Sequence, residues 1–247
     1  MELERGVTIS VMPYFRHTLL ASAGIRLNSG VESTGDCFAA RDDWRNLRGE
    51  ELALLTDTVS DESDKPTNRI ELFEIPRHLY EQWLEVAKEF TCSAAQQSPL
   101  YKRFVASVAS FFSFKKIQVD SSTFDVVAAS PPRQSALKRF GYPAGLGIGE
   151  TRESPLFAIN LGEESTSLIF LNLPIQRMGE FNMPRAGNEE SRGRIAERFM
   201  ASFPEYPVVR LILLPGEGAK FFPDSIVHDG YTAEKKKVDV VLQISRV

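Results

Sequence analysis

The sequence predicts an α+β fold in which the second half of the chain is rich in strands and closes into a cup. Four short apolar runs follow one another near the C-terminus, at 208–214, 219–222, 225–227 and 238–244, with glycine and proline turns between them. Short, dense strands joined by such turns favour a sandwich or barrel over alternating βαβ units. We therefore expect a β-rich cup with helices packed beside it.

Two further strands are predicted just ahead of this group. The runs 157–161 and 167–173 are apolar and β-branched, and the polar segment 162–166 separates them. Two such runs around a short polar turn are typical of an antiparallel hairpin. The sequence therefore predicts that these two strands pair with each other.

Amphipathic helices are predicted to flank the cup. Pro76 and Pro99 each stand at the start of a helix, where the missing N–H of proline loses no hydrogen bond. Apolar side chains then recur every three or four residues through 83–90 and again through 100–111, which gives each helix one apolar face. The segment 189–202 has the same pattern and predicts a third helix.

The length of the chain suits one large domain. Its 247 residues are enough to bury a substantial core. We expect a single domain over 1–247, in which 1–112 supplies N-terminal strands and a helical annex and 113–247 forms the β-rich cup.

Composition and charge exclude several classes of function. The chain is 43% hydrophobic and 25% charged, as in ordinary globular proteins, and its net charge of −4 gives no electrostatic basis for binding nucleic acid. No apolar run reaches the roughly 18 residues that a membrane span needs, and no signal peptide is recognisable. Cys37 and Cys92 form no metal or redox motif. We expect a cytoplasmic protein that binds neither nucleic acid nor membranes.

The most specific local pattern lies in the C-terminal strands. Pro215-Gly216-Glu217-Gly218 predicts a tight turn, Pro223 opens the next edge, and His228-Asp229-Gly230 ends a strand. An imidazole held by a strand has an orientation fixed by the backbone, which suits a binding or metal-ligating role. The alternative is a structural histidine at a strand end, and the sequence leaves both open.

These residues resemble the second motif of the cupin superfamily and the distal-histidine strand of the iron(II)/2-oxoglutarate-dependent oxygenases. His228 falls five residues after Pro223, as in the cupin pattern, whereas Gly216 is one residue early and Ser225 replaces the usual glycine. The resemblance is firm over about the last forty residues and loose over 140–247. It implies a double-stranded β-helix (jelly-roll, cupin-like) core with flanking helices.

The same resemblance implies a metal site, for which the sequence offers an incomplete set of ligands. A non-haem iron triad needs two histidines and a carboxylate. The family's His-x-Asp motif is missing from 144–150, and the two other histidines, His17 and His78, are not followed two residues on by an acid. The remaining hypothesis is a site with one histidine and two carboxylates, formed by His228, Asp229 and Glu150.

Cofactors and function are expected from the resemblance in two alternative forms. An active relative would be a metal-dependent oxidoreductase that uses Fe(II) and 2-oxoglutarate, with Lys237 as the anchor for the cosubstrate carboxylate. A non-catalytic relative would have lost the metal and would bind a small molecule, or a protein partner, in the same cup. The absent His-x-Asp motif favours the second form, and the retained Pro223–Gly230 pattern favours the first.

Overall fold

A computed structural model describes residues 2–13, 15, 24–34, 37–56, 66–89, 98–119, 123–129, 136–137, 154–181 and 192–245. The described residues have an α+β fold that consists mostly of sheet. The strands are β1 (Thr8–Val11), β2 (Ile25–Leu27), β3 (Val31–Thr34), β4 (Cys37–Ala40), β5 (Arg45–Asn46), β6 (Arg69–Glu74), β7 (Phe124–Ala129), β8 (Ala136–Leu137), β9 (Leu156–Asn160), β10 (Thr166–Pro174), β11 (Val208–Leu213), β12 (Glu217–Phe221), β13 (Ile226–Tyr231) and β14 (Asp239–Ser245). The α-helices are α1 (Gly49–Thr56), α2 (Arg77–Glu89), α3 (Pro99–Phe114), α4 (Ile175–Met178) and α5 (Arg192–Ser202), and a 3₁₀ turn covers Pro66–Asn68.

Two large sheets carry most of the strands. The six-stranded sheet has the order β1-β6-β12-β9-β14-β7, and the five-stranded sheet has the order β13-β10-β11-β2-β5. A third, small sheet has the order β3-β4-β8. The pairs are antiparallel except for β1 with β6, which is parallel. Strands from 1–112 extend both large sheets, because β1 and β6 belong to the first and β2 and β5 to the second.

Apolar side chains form three clusters that show how the layers pack. The inner cluster combines residues of both large sheets, such as Leu72 and Phe221 of one sheet with Phe170 and Leu211 of the other, so the two sheets face each other. A second cluster packs α2 and α3 on the outer face of the six-stranded sheet. A third packs α4 and α5 on the outer face of the five-stranded sheet.

The predicted helices begin where the sequence signals place them. Pro99 occupies the first turn of α3, and the Ser98 hydroxyl accepts a hydrogen bond from the Tyr101 amide at 3.1 Å, which caps the helix. Helix α2 begins at Arg77, directly after Pro76. Helix α5 covers the described part of the predicted 189–202 helix. Among the described residues, no helix is both long and apolar enough to cross a membrane.

The predicted hairpin over 157–173 is wrong. Strand β9 pairs with β12 and β14 in the six-stranded sheet, whereas β10 pairs with β11 and β13 in the five-stranded sheet. The chain between them therefore crosses from one sheet to the other. The Asn160 side chain fixes this crossing: its amide donates to the carbonyls of Glu164 and Leu213, both at 2.9 Å, and its oxygen accepts from the Gly162 amide.

Candidate functional site

His228 lies on β13 with its ring turned towards the space between the two large sheets. It stands opposite Phe170 in the strand register, and Phe170 belongs to the inner apolar cluster. Side chains alternate along a strand, so His228 shares the inner face with Ile226, another member of that cluster. The imidazole packs edge-on against Phe221 of the opposite sheet, with the ring centroids 4.8 Å apart.

The protonation state of His228 follows from its hydrogen bond. Nδ1 lies 2.9 Å from the Ile226 carbonyl oxygen, which can only accept, so Nδ1 carries the proton. Burial lowers the pKa of His228, while the hydrogen bond to Ile226 and the charge of Asp224 act in the opposite direction. The ring is therefore neutral at pH 7, and Nε2 presents a lone pair that no described residue occupies.

A cavity of about 200 Å³ lies beside the imidazole, between the two large sheets. Its walls come from β9, β12 and β14 on one side and from β10, β11 and β13 on the other. The lining residues are Leu156, Ala158, Asn160, Thr166, Ser167, Leu168, Leu213, Phe221, His228, Asp229, Gly230, Asp239, Val241 and Gln243. The cavity thus has an apolar body with a few polar groups, which is the usual make-up of a small-molecule site.

A buried ion pair forms part of the cavity wall, and we call Lys235–Asp239 the inner ion pair. The Lys235 ammonium contacts one oxygen of the Asp239 carboxylate, and the two side chains are only 4% and 8% exposed. The Thr166 hydroxyl donates to the other oxygen at 3.0 Å. Both Asp239 oxygens are therefore occupied, and its charge is balanced inside the protein.

Gln243 is the remaining polar side chain on the inner face of β14. It follows Asp239 and Val241 on that face by the alternation of the strand. The Gln243 amide makes no hydrogen bond to any residue that the structure describes, whereas Asn160 on the neighbouring strand β9 uses its amide to hold the β9–β10 crossing. Gln243 and the His228 Nε2 are thus the polar groups of the wall that remain available to a ligand.

Two of the residues predicted to bind metal or cosubstrate with His228, Asp229 and Lys237, are described, and neither side chain lies on the inner face of the sheet with the imidazole. Asp229 follows His228 directly, and its register partner Ile169 belongs to the outer apolar cluster, so the Asp229 side chain lies on the other face of β13. Its carboxylate accepts a hydrogen bond from the Gly230 amide at 2.7 Å. Glu150 and His17 lie outside the described residues, and His78 is exposed on α2.

Lys237 lies on the surface, away from the cavity wall. Its ammonium contacts the Glu163 carboxylate, and this hydrogen bond raises the pKa of Lys237. Its backbone amide donates to Glu164 at 3.0 Å. The lysine that reaches inward in this turn is Lys235, two residues earlier.

The donor set in the described residues does not fit a metal. No group of three or more His, Cys, Asp and Glu side chains converges in the part of the chain that the structure describes. The carboxylate nearest in sequence to His228 points to the opposite face, and Asp239 is already bound to Lys235 and Thr166.

On the outer face of the same sheet, polar side chains form a closed network. Arg210 is the centre of this outer polar cluster, which also contains Ser167, Tyr231, Asp42 and Glu234. The Arg210 guanidinium binds the Glu234 carboxylate through two nitrogens at 2.9 and 2.6 Å, and its Nε donates to the Ser167 hydroxyl. It also lies 4.5 Å from the centre of the Tyr231 ring.

Tyr231 connects this cluster to the N-terminal part of the chain. Its hydroxyl donates to the Asp42 carboxylate at 2.6 Å. Burial and that hydrogen bond raise the pKa of Tyr231 to about 12, so the phenol stays protonated at any physiological pH. The hydrogen-bonding groups of the outer polar cluster are engaged with one another, and of its five residues Ser167 also lines the cavity.

The sequence pattern missed the inner ion pair and Gln243. The run Lys235–Lys237 indicates a solvated turn, and nothing in it distinguishes the lysine that folds inward. The available signal was the alternation in β14, where Asp239, Val241 and Gln243 share one face. Two polar residues on the inner face of a predicted core strand indicate a lined cavity.

The chain matches no protein-family model, no curated protein and no solved structure.

Proposed function

We propose that this protein binds a small organic molecule in the cavity between its two large sheets, as a cupin-like or oxygenase-like cup without metal chemistry. The observation that carries the proposal is His228: its neutral ring faces the cavity, and its Nε2 lone pair has no partner among the described residues. The imidazole is partly buried, and a ligand group that donates to Nε2 would complete the hydrogen bonding of the ring.

The strand order supports a double-stranded β-helix as the framework of this cup. Strands β9, β12 and β14 belong to the six-stranded sheet, and strands β10, β11 and β13 belong to the five-stranded sheet. In these sheets β13 returns to lie beside β10, and β14 returns to lie beside β9. Returns of this kind are typical of Greek keys, and two Greek keys make a jelly roll. The position of His228 on the penultimate strand of this series also fits the resemblance to the cupin and oxygenase motif.

The size of the cavity sets the size of the ligand. Sites for drug-sized ligands occupy about 300–1,000 Å³, and a closed apolar cavity of about 150 Å³ accepts benzene. A cavity of about 200 Å³ therefore suits a molecule with a single ring or a short branched chain.

A cavity-filling substitution tests the proposal. Ala158 lines the cavity, whereas Ala128 is exposed on β7, so Ala158→Leu fills the site and Ala128→Leu is its matched control. We expect a library of single-ring fragments, screened by ligand-observed NMR, to give ligands for the wild type and for Ala128→Leu that Ala158→Leu no longer binds. The proposal fails if no fragment binds, or if the same fragments bind Ala158→Leu equally well.

A second candidate is the metal-dependent oxygenase, and the unused Nε2 of His228 is the observation that favours it. Under this hypothesis the chain binds about one Fe(II) or Mn(II), and His228→Ala abolishes that binding because it removes a ligand. Elemental analysis after anaerobic loading with iron measures the content directly. A wild-type chain without stoichiometric metal leaves the metal-free cup as the function.

A further inference from the structure

The charges around the cavity restrict the class of ligand that it can take. Of the described residues that line it, none is lysine or arginine, and the carboxylate that faces it is that of Asp239, because the Asp229 side chain lies on the other face of β13. The Lys235 ammonium pairs with the Asp239 carboxylate, so it is not available to pair with an anionic ligand. An anionic ligand would have to be desolvated against these walls without a cation to receive it, which is strongly unfavourable.

The unused hydrogen-bonding groups restrict the ligand further. The Nδ1–H tautomer of His228 makes Nε2 an acceptor only, so the matching ligand atom must donate a hydrogen. The Gln243 amide can both donate and accept, and it lies on the opposite wall of the same cavity. A hydroxyl or amino group satisfies Nε2, whereas a carboxylate presents acceptors alone.

Apolar side chains form much of the remaining wall. Phe221, Leu168 and Val241 face the cavity from three different strands, and Phe221 packs directly against the imidazole. These side chains favour a hydrocarbon body over a polyol, because burial of apolar surface contributes about 25 cal/mol for each Å² removed from water.

We infer that the cavity selects a small apolar molecule that carries one hydrogen-bond donor, an alcohol or an amine, and that it rejects carboxylates of the same size. This inference rests on the proposed function and names the ligand class for that site. It differs from the cosubstrate that the oxygenase resemblance implies, since 2-oxoglutarate carries two negative charges.

Four single-ring probes of nearly equal size test the inference: benzyl alcohol, aniline, benzoate and toluene. Dissociation constants are measured by NMR titration at pH 7.5 on the full chain. We expect one or both donor probes to bind about threefold to tenfold more tightly than toluene, the range that one net hydrogen bond supplies. We expect benzoate to bind at least tenfold more weakly than the better donor probe.

Substitutions at His228 separate the role of the acceptor from that of the ring shape. His228→Phe keeps a ring and removes the acceptor, so the preference for the donor probes over toluene should vanish. His228→Gln keeps an acceptor oxygen and should retain part of the preference, which guards against a variant that loses binding through misfolding. His78→Phe, at the exposed histidine of α2, is the matched control and should behave as the wild type.

The outcomes distinguish the inference from the proposed function. Binding of benzoate or 2-oxoglutarate as tight as that of the donor probes, abolished by Ala158→Leu, overturns the inference and leaves a ligand-binding cup in place. Equal affinities of toluene and both donor probes overturn it as well. Failure of all four probes and of the fragment library to bind removes the proposed function itself.

Discussion

The two faces of the five-stranded sheet differ in whether the hydrogen-bonding atoms of their polar side chains all have partners. On the outer face, Arg210 and Tyr231 are bound to Glu234, Ser167 and Asp42. On the inner face, the sheet places His228 beside a cavity of about 200 Å³, with one ring nitrogen bonded to the backbone and the other unused.

The difference shows which polar residues stabilise the fold and which are available for binding. Polar groups that satisfy one another in a filled space add specificity to the packing and leave nothing for a ligand. A polar group that retains an unused atom beside a cavity can still bind a ligand, and it is therefore the better candidate for function. Asp239 shows that a position beside the cavity is not sufficient for binding, because both of its carboxylate oxygens already have partners, Lys235 and Thr166.

The largest effect is expected for the inner ion pair. Asp239→Ala leaves the buried Lys235 ammonium without its carboxylate, and removal of one partner of a buried pair destabilises by about 3–5 kcal/mol. Urea denaturation measures this loss. The double variant Asp239→Ala/Lys235→Met removes the uncompensated charge and should be more stable than Asp239→Ala alone. A single variant within about 0.5 kcal/mol of the wild type would show that the pair is solvated.

A smaller effect is expected for Arg210 in the outer polar cluster. Its side chain is 6% exposed, but that of its partner Glu234 is 56% exposed and can be rehydrated. Arg210→Met should therefore destabilise by about 2 kcal/mol, mainly through the lost contacts with Ser167 and the Tyr231 ring. Arg103→Met, on the exposed face of α3, is the matched control and should stay within about 0.5 kcal/mol. Equal losses in both variants would contradict the structural role of the cluster.

The elements of this comparison differ in how far the sequence predicts them. The strands, the helices and the α+β class follow from hydrophobic periodicity and from Pro76 and Pro99, which are local signals. The partner of each strand is not local: 157–161 and 167–173 have the pattern of a hairpin, yet they lie in different sheets because Asn160 bonds to Leu213, more than fifty residues away. The positions of helices and strands are therefore predicted from the sequence more reliably than the pairing of the strands.

In the candidate site, too, the sequence predicts the element on which a residue lies better than it predicts the partner of its side chain. Pro223 and Gly230 bracket His228 and predict that it lies at the end of a strand, whereas the structure places it within β13, which continues to Tyr231. Lys235 and Lys237 are indistinguishable in the sequence, because each belongs to one polar turn. The Lys235 side chain pairs with Asp239, four residues later on the inner face of β14, while Lys237 remains at the surface with Glu163.

An effect of about 1 kcal/mol is expected for Tyr231→Phe, which deletes the hydroxyl that donates to Asp42. The loss stays small because Asp42 is exposed and regains water. Tyr101→Phe is a sharp control, since the Tyr101 hydroxyl is buried and has no partner among the described residues, so its removal should be neutral or stabilising. Thermal unfolding of the two variants compares them directly, and equal destabilisation would contradict the interpretation.

The smallest effect is expected for His228, and it depends on pH. An unfolded histidine has a pKa near 6.5, and burial lowers the folded pKa of His228 below that value. Between the two values the unfolded chain binds more protons, so stability falls as the pH decreases from about 6.5 towards the folded pKa, with a slope of at most about 1.4 kcal/mol per pH unit. Above pH 6.5 the ring is neutral in both states and contributes no slope.

His228→Phe should remove this part of the pH dependence and leave the acid destabilisation that the carboxylates cause at lower pH. The measurement is the free energy of unfolding in urea at pH 7.5, 6.5, 5.5 and 4.5, for the wild type, His228→Phe and the surface control His78→Phe. A slope between pH 6.5 and 5.5 that is equal in all three proteins would mean that the His228 imidazole reaches bulk water in the folded state. The polar groups of the inner face would then be as accessible to water as those at the protein surface, and the proposed difference between the two faces of the sheet would be wrong.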